Sequence, residues 1–175
     1  MVYKPDEDSY LIAEFVKKYA KGKKVLDMGT GTGILAETAL KSGAKEVLAC
    51  DIDKEAVKEA EKKGIKAVSS DLFKNVKGKF DLIIFNPPYL PKDKREGKDT
   101  DTSGGKKGYE LTLRFLKQAK KHLEEKGFIL IVVSSLSKPE ELYSRIKELG
   151  LKYKILGEKK MFFETIYAVK ADKHL

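Results

Sequence analysis

Short apolar segments alternate with segments of helical periodicity along most of this 175-residue chain, and that alternation most constrains its fold. The apolar segments, each of strand length, cover residues 24–28, 46–51, 65–69, 80–85 and 127–133. The helical segments cover residues 9–20, 33–42, 54–63, 107–123 and 139–149. Because parallel strands need a crossover connection, usually a helix, this order is typical of βαβ units. The sequence therefore predicts an α/β fold built on a parallel sheet.

The end of the chain departs from the alternation. Residues 151–158 and 162–171 have the pattern of two consecutive strands joined by a short turn, which predicts a terminal antiparallel pair. Upstream, Gly43, Gly64 and Gly150 lie where three of the predicted helices should end. Glycine is favoured just past a helix C-terminus, so these positions support the predicted helix boundaries.

Length and composition indicate a small globular protein. We expect one domain over residues 1–175, since a chain of this length can bury a sizeable core and shows no internal repeat. Cys50 is the only cysteine, which excludes an internal disulfide, and its place in an apolar strand predicts a buried residue. The amino terminus lacks the pattern of a signal peptide, and no apolar run approaches about 18 residues. The expected location is the cytoplasm.

The first predicted strand ends in an acid and runs into three alternating glycines, in residues 25–33, VLDMGTGTG. Glycine lets the backbone come close to a ligand, and the amides of the following helix start face whatever binds there. Dinucleotide folds use a related loop with G-x-G-x-x-G spacing. Here the spacing is G-x-G-x-G, and Asp27 would repel a pyrophosphate but could receive the ammonium group of an amino-acid ligand. This favours S-adenosylmethionine over NAD.

Two further acids follow predicted strands. Asp51 ends the second strand about twenty residues after the glycine loop, where a carboxylate can bind both ribose hydroxyls of either cofactor. Asp71 follows the third strand and is a candidate acceptor for the adenine amino group, although a turn or cap acid fits its local sequence equally well. Asp53 is better explained as the N-cap of the helix over residues 54–63.

The residues Asn86-Pro87-Pro88-Tyr89 directly follow the fourth strand and suggest methyl transfer to a planar, conjugated nitrogen. Such a nitrogen is a poor nucleophile because its lone pair is delocalised. The Asn86 side-chain oxygen and the Pro87 carbonyl can each accept a hydrogen bond from a primary NH2, which leaves its third direction open to a methyl donor. The prolines fix φ, and the Tyr89 ring offers a face for a flat group. The alternative is an ordinary Asn-Pro turn that ends the strand.

The order of these motifs resembles the class I S-adenosylmethionine-dependent methyltransferases. More narrowly, residues 2–9, VYKPDEDS, resemble the V-Y-x-P-x-E-D-S/T opening of the archaeal and eukaryotic HemK-like protein N5-glutamine methyltransferases. Residues 104–110, GGKKGYE, match their later G-G-x-x-G-x-E segment. The resemblance implies a Rossmann-like, seven-stranded, mostly parallel sheet with an antiparallel C-terminal strand and helices on both faces. It implies N5-methylation of the glutamine in the Gly-Gly-Gln motif of a translation termination (release) factor.

The resemblance also implies roles for single residues. Asn86 and Pro87 would hold the glutamine amide and Tyr89 would stack on it. Ser9 would lie near the methionine carboxylate of the cofactor, although the N-cap of the helix over residues 10–20 is an equal reading of this serine. Of the residues expected at S-adenosyl-L-methionine, Ser9, Asp27 and Gly29 would lie at its amino-acid part, Asp51 at the ribose, and Asp71 with Leu72 at the adenine. Gly31, Ile52 and Asn86 complete the expected set. No metal is expected, because His122 and His174 lack ligand spacing.

Two alternatives to protein methylation stay open. The first is an enzyme that methylates adenine N6 or guanine N2 in RNA or DNA, since these amines have the same planar geometry and Tyr89 could stack on a flipped base. The net charge of +9 is compatible with nucleic acid, but the positive residues are nearly all lysines spread along the chain, as in proteins from high-temperature organisms. The second is a subunit that binds the cofactor without turnover, against which the intact Asn-Pro-Pro-Tyr argues.

Partners of two kinds are expected. The resemblance implies a small zinc-binding activator that pairs with the edge of the sheet, here the strand at residues 65–69, as well as the termination factor itself. Residues 90–105 show neither helical nor strand periodicity and leave directly from the Asn-Pro-Pro-Tyr motif. A loop of this length in a compact domain is usually functional or mobile, so we expect this segment to close over the substrate peptide.

Overall fold

The protein is described by a computed structural model that covers residues 7–87 and 108–174. The helices are α1 (Glu7–Tyr19), α2 (Ile34–Lys41), α3 (Lys54–Lys62), α4 (Glu110–Ala119) and α5 (Pro139–Glu148). The strands are β1 (Lys24–Met28), β2 (Glu46–Asp51), β3 (Lys66–Ser69), β4 (Phe80–Phe85), β5 (Leu123–Ser134), β6 (Lys152–Lys160) and β7 (Thr165–Asp172). Short 3-10 turns at Lys120–His122 and Ser135–Ser137 flank β5.

All seven strands belong to one sheet, in the order β3-β2-β1-β4-β5-β7-β6. The first five strands in the chain pair in parallel, whereas β7 is antiparallel to both β5 and β6. The predicted fold class, a mostly parallel seven-stranded sheet with an antiparallel strand near the carboxyl terminus, is therefore confirmed. The β3 strand lies at one edge, as predicted, and β6 lies at the other.

The helices cover both faces of the sheet and create two apolar cores. On one face, α1 and α2 pack through side chains such as Ile12 and Leu35 against strand residues that include Leu82 and Leu130. On the other face, α4 and α5 bury Phe115 and other apolar side chains against the alternate residues of the same strands. Central strands buried on both sides need continuous apolar sequence, which is why these segments lack a strict period of two. Cys50 is fully buried, as predicted.

The helix ends follow their predicted signals. Gly43, Gly64 and Gly150 each lie two residues past a helix and adopt left-handed φ angles of 90°, 76° and 75°. Asp53 is the N-cap of α3, where its carboxylate accepts a hydrogen bond of 2.8 Å from the Glu55 amide. The predicted cap role of Asp53 is thus confirmed. Across the described ranges, no helix has the length and apolarity needed to cross a membrane.

Two predicted elements depart furthest from their predicted bounds. The helix predicted over residues 107–123 begins at Glu110 and ends at Ala119, after which the chain tightens into a 3-10 turn. The strand predicted to begin at residue 127 begins four residues earlier. Phe80 pairs with Leu123, but Leu82 pairs with Phe128, so β5 carries a bulge whose residues 124–126 are polar and exposed. A bulge breaks the alternation on which strand prediction depends.

Gly127 closes this bulge and leaves no room for a side chain. A Cβ atom at this position would lie 2.8 Å from the Phe80 carbonyl oxygen and 3.0 Å from the Glu124 carbonyl oxygen. We expect Gly127→Ala to lower the free energy of unfolding by about 1 to 3 kcal/mol, as overpacking does. Urea denaturation would measure this loss. Lys126→Ala, an exposed neighbour in the same bulge, is the matched control, and equal midpoints for the two variants would contradict the crowding.

Candidate active site

The order of the strands places the candidate site at the centre of the sheet. From β1 the chain moves outward to β2 and β3, whereas β4 and β5 lie on the other side of β1. Met28 at the end of β1 is level with Phe85 at the end of β4. The glycine loop after β1 and Asn86 after β4 therefore emerge side by side. In open α/β sheets, ligands bind in the crevice at this point where the strand order reverses.

The glycine loop is held tightly between its neighbours. The Thr30 amide donates a 2.9 Å hydrogen bond to the Cys50 carbonyl of β2, and the Gly33 amide donates a 2.8 Å bond to the Thr30 carbonyl. Gly29 has a φ of 67°, and a Cβ there would lie 3.4 Å from the Phe85 ring. A side chain at this position would therefore be strained by the left-handed backbone, although its Cβ would make only an ordinary contact with the Phe85 ring. Phe85 supports the loop from below, a role that the sequence analysis did not assign.

Asp27 is buried beneath the loop, with 1 % of its surface exposed. One carboxylate oxygen accepts hydrogen bonds of 2.8 Å from the Thr30 hydroxyl and 3.1 Å from the Ala36 amide at the start of α2. Burial raises the pKa of Asp27 to about 7, the two hydrogen bonds lower it, and the nearby charge of Asp51 raises it further. The carboxyl group is thus poised between its two protonation states near neutral pH. A cationic ligand group close to it would favour the ionised state.

Asp51 links the second strand to the same loop. Its two carboxylate oxygens accept 2.9 Å hydrogen bonds from the amides of Gly31 and Asp53, one each. A carboxylate oxygen can accept a second hydrogen bond, so both remain able to receive a hydroxyl group. The adjacent Ile52 is 64 % exposed, which is unusual for an isoleucine directly after a buried strand. Together they present two acceptors beside an apolar surface, as a nucleoside requires.

Asp71 and Leu72 form a turn after β3 that joins the same edge of the sheet. The Ser70 amide donates a 2.9 Å hydrogen bond to the Asp51 carbonyl, and the Ser70 hydroxyl donates a 2.7 Å bond to the Leu72 carbonyl. Leu72 is buried in a left-handed conformation with φ of 49°. The exposed Asp71 carboxylate forms an ion pair with Arg114 of α4. The roles of Ser70 and Arg114 could not be predicted from local sequence, because the first lies in a strand-end turn and the second is 43 residues from Asp71.

Asn86 is oriented by the first turn of α1. Its side-chain nitrogen donates a 3.1 Å hydrogen bond to the Ser9 hydroxyl, which is 2 % exposed. Its side-chain oxygen is buried and accepts no hydrogen bond from any residue in the ranges 7–87 and 108–174. Ser9 lies inside α1, which begins at Glu7, so its reading as an N-cap is wrong. The Asn86 side-chain nitrogen thus has a hydrogen-bond partner in Ser9, while the side-chain oxygen could accept a hydrogen bond from a donor outside the described residues.

The remaining predicted site residues are placed only in part. Pro87 follows Asn86 and is buried. Tyr89 and the segment 90–105, which was predicted to close over the substrate, lie outside the described residues. His122 lies at the amino end of β5, and His174 lies just beyond the end of β7. Both are therefore at the amino ends of the parallel strands, whereas Asn86 is at their carboxyl ends. Neither described histidine therefore reaches the site.

Comparison with known proteins identifies the family. The model of the methyltransferase small domain matches residues 2–163, which is most of the chain. The chain belongs to the methyltransferase small domain family. The cleft between β1 and β4 is accordingly the candidate active site of a methyltransferase, with the glycine loop on one side and Asn86 on the other.

Relatives of this methyltransferase cover nearly its whole length. A Methanocaldococcus jannaschii protein assigned as a protein N5-glutamine methyltransferase is 38 % identical over 97 % of this chain and 91 % of its own. Methyltransferase HEMK2 of Mus musculus is 30 % identical over 86 % of this chain and 79 % of its own. Among solved structures, the E. cuniculi Mtq2–Trm112 complex, responsible for methylation of the eRF1 translation termination factor, matches with a TM-score of 0.83. The matching chain of that complex is 29 % identical in sequence, and the match covers 98 % of this chain and 98 % of that chain.

The buried carboxyl group of Asp27 makes the stability of the ligand-free methyltransferase depend on pH. Its pKa of about 7 in the folded protein lies above the ordinary value of 3.8. Between these values the folded state holds a proton that the unfolded state has lost, so stability falls as pH rises through that window. The difference corresponds to about 4 kcal/mol. Below pH 4 both states are protonated and the cost is absent.

Asp27→Asn removes the titrating carboxyl group but keeps a side-chain oxygen that can accept the hydrogen bonds from Thr30 and Ala36. We expect the variant to gain stability over the wild type as pH rises from about 4 to 8, with a difference of about 4 kcal/mol at the upper end. Thermal or urea unfolding at several pH values would measure it. Asp53→Asn, at the exposed cap of α3, is the control that should follow the wild type. Parallel curves for the wild type and Asp27→Asn would contradict the raised pKa.

Proposed function

We propose that this chain transfers a methyl group from S-adenosyl-L-methionine to the side-chain amide nitrogen of the glutamine in the Gly-Gly-Gln motif of a translation termination factor. The observation that carries the proposal is the state of Asn86. Its nitrogen is bound to Ser9, and its buried oxygen lacks a donor among the described residues. Buried polar oxygens are normally satisfied, so this one is best explained as the acceptor for a substrate NH2 group.

The geometry of Asn86 suits an amide nitrogen in particular. Binding of the Asn86 nitrogen to Ser9 fixes which way the amide faces, so the oxygen points to the substrate without an entropic cost at the moment of reaction. We assign the Pro87 carbonyl as the second acceptor and Tyr89 as the surface on which the planar amide stacks. Two acceptors that draw the N–H bonds out of the amide plane favour the pyramidal nitrogen of the transition state over the planar ground state.

The residues around the glycine loop fit S-adenosylmethionine. Gly29 and Gly31 let the loop approach a ligand. An ammonium group bound near Asp27 would favour the ionised carboxylate and balance its charge. We assign Asp51 to the ribose hydroxyls and Ile52 to one face of the nucleoside. Ser9, Asp71 and Leu72 complete the proposed set, with the methionine carboxylate near Ser9 and the adenine near the turn after β3. When bound, this cofactor supplies an electrophilic methyl group on a sulfonium.

No general base is required of the protein. Alkylation makes the remaining protons of the amide nitrogen far more acidic, so one of them can leave to water. The described histidines lie at the amino ends of the parallel strands, away from Asn86. Positioning by Asn86 and its partners should therefore supply most of the acceleration.

The relatives support the identity of the substrate. The Methanocaldococcus jannaschii protein is assigned to N5-glutamine methylation, and the Mtq2–Trm112 complex acts on eRF1. Both match this chain over 97 % or more of its length. This likeness favours a protein glutamine over an adenine or guanine amine.

We further propose a small, zinc-binding partner subunit at the β3 edge of the sheet. The strand β3 pairs only with β2 among the described strands, so the other side of its backbone is available for a neighbouring strand. Edge strands with open backbone groups are common sites of strand addition. The solved relative Mtq2 was determined in complex with Trm112, which supports a partner of this kind.

The catalytic assignment of Asn86 predicts a selective loss of turnover. Asn86→Ala should lower kcat by a factor of about 100 or more, comparable to the loss of one electrostatic stabiliser, while the Kd for S-adenosylmethionine changes little. Single-turnover kinetics and isothermal titration would measure the two quantities. Ser9→Ala removes the hydrogen bond that orients the amide and the hydroxyl proposed near the methionine carboxylate, but it keeps the Asn86 oxygen, so it should lower kcat less than Asn86→Ala does. Wild-type turnover in Asn86→Ala would exclude this mechanism.

The substrate itself can be identified by transfer of a labelled methyl group. Purified termination factor, its Gln→Ala variant in the Gly-Gly-Gln motif, and bulk RNA would be incubated with the enzyme, with and without the candidate partner subunit. We expect label only on the intact factor, because only that protein offers the amide. Label on RNA alone would overturn the proposal in favour of a base methyltransferase.

A further inference from the structure

We infer that the exposed tip of the β6–β7 hairpin is a docking site for the folded protein substrate beside the catalytic asparagine. The tip patch consists of Leu136, Met161, Phe162 and Phe163. This inference rests on the proposed function, since it takes the acceptor to be a glutamine in a folded protein. It adds the surface that would recognise that protein outside the Gly-Gly-Gln loop.

Strand pairing places the tip patch at the carboxyl ends of the parallel strands, where Asn86 also lies. The strand β7 runs antiparallel to β5, with Ile166 opposite Ser134, so the turn before β7 lies at the carboxyl end of β5. Phe85, which directly precedes Asn86, is level with Ile131 of β5. The strand β5 therefore extends three residues past the end of β4, or roughly 10 Å at the usual strand rise. The hairpin tip therefore lies past the carboxyl end of β4, at the end of the sheet where the cleft opens.

A second connection runs through the first turn of α1. Lys159, near the end of β6, forms an ion pair with Glu7, and Ser9, two residues later in α1, holds Asn86. The hairpin and the catalytic amide thus contact the same helical turn. A protein that presents a loop to Asn86 would meet the tip patch with the surface that flanks that loop.

The exposure of the tip patch is not explained by the folding of this chain. Phe162 and Phe163 are 91 % and 82 % exposed, and Leu136 and Met161 are 45 % and 37 % exposed. The two rings pack edge to face on each other, with centroids 4.5 Å apart and an angle of 82° between their planes. Exposed apolar patches mark interaction sites, and aromatic residues dominate the energetics of protein interfaces.

Hydrogen bonds to β5, to the turn after it and within the hairpin hold the tip in place. The Ser134 hydroxyl donates a hydrogen bond to the Glu164 carboxylate, and the Thr165 amide donates a 2.9 Å bond to the Ser135 hydroxyl. The Met161 amide donates a 2.7 Å bond across the turn to the Glu164 carbonyl. A surface that is already ordered loses little conformational entropy when a partner binds. These bonds explain how a short turn can present two phenylalanines in one defined arrangement.

The chemistry of the patch favours a protein over a nucleic acid. Leu136 and Met161 offer aliphatic surface rather than a stacking platform for bases. The flanking charges are mixed, since Glu158, Lys159 and Lys160 precede the patch residues 161–163 and Glu164 follows them. Nucleic-acid surfaces combine aromatic side chains with a consistently positive groove. We therefore assign the tip patch to an apolar surface on the termination factor that adjoins its Gly-Gly-Gln loop.

The test compares the double variant Phe162→Ser/Phe163→Ser with Leu40→Ser. Leu40 is 46 % exposed near the end of α2, which runs away from the active-site edge, so this control removes exposed apolar surface elsewhere. Each protein would be assayed with the folded termination factor, with a short peptide that carries only the Gly-Gly-Gln motif, and with bulk RNA. The partner subunit would be present throughout, and the Kd for S-adenosylmethionine would be measured by titration.

We expect the double variant to raise KM for the folded factor by about tenfold or more, as loss of an aromatic anchor does, with kcat changed less than twofold. Transfer to the short peptide and cofactor affinity should follow the wild type, and Leu40→Ser should match the wild type in every assay. Wild-type KM of the double variant for the factor would overturn the docking site but leave the proposed function intact. Equal losses on factor and peptide would also overturn it. Absence of transfer to the factor by the wild type would instead refute the proposed function.

Two other outcomes would assign the tip patch differently. If the wild type sediments as a dimer and the double variant as a monomer with unchanged KM for the factor, the patch is a contact between copies of this chain and the inference is wrong. If the wild type methylates RNA and the double variant loses that transfer selectively, the patch serves a nucleic acid and the inference is also wrong.

Discussion

The parallel pairing of β1 with β4 is the constraint on which the active site depends. It joins two segments that lie more than fifty residues apart in sequence and makes Met28 and Phe85 neighbours at one edge of the sheet. Without this register, the glycine loop and Asn86 would not face the same crevice. Both strands are buried on their two faces by helices, so a shift of one residue would exchange the side chains between the two cores. Packing on both sides therefore specifies the geometry of the site.

Much of this arrangement could be predicted from local sequence. The alternation of apolar and helical segments, the glycines after helices and the acids at strand ends are local patterns, so they indicated the parallel strands and the carboxyl-end positions of Asp27, Asp51 and Asn86. The pattern of residues 151–171 indicated the last two strands, and the resemblance to HemK-like enzymes then supplied the proposed roles. The bulge at the start of β5 was missed because its exposed polar residues carry no strand pattern. Hydrogen bonds between distant residues, such as Asn86 to Ser9, have no local signature.

Asp27 shows how stability and ligand binding oppose each other in this site. A carboxyl group with almost no exposed surface loses hydration, and its hydrogen bonds from Thr30 and Ala36 compensate only in part. An asparagine would satisfy the same donors without a charge. The acid is therefore better explained by what it does for a bound cation than by what it does for the fold. Perturbed acids of this kind occur preferentially at functional sites.

The two edges of the sheet differ in a way that limits how the protein can assemble. The β6 edge carries Lys152, Lys154, Lys159 and Lys160, and its register with β7 is interrupted between Ile155 and Gly157. Lysines and bulges both hinder the addition of a further strand. The β3 edge is short and has a regular register. Strand addition is therefore hindered at the β6 edge, and addition at the β3 edge alone would join two chains without a free edge from which a filament could grow.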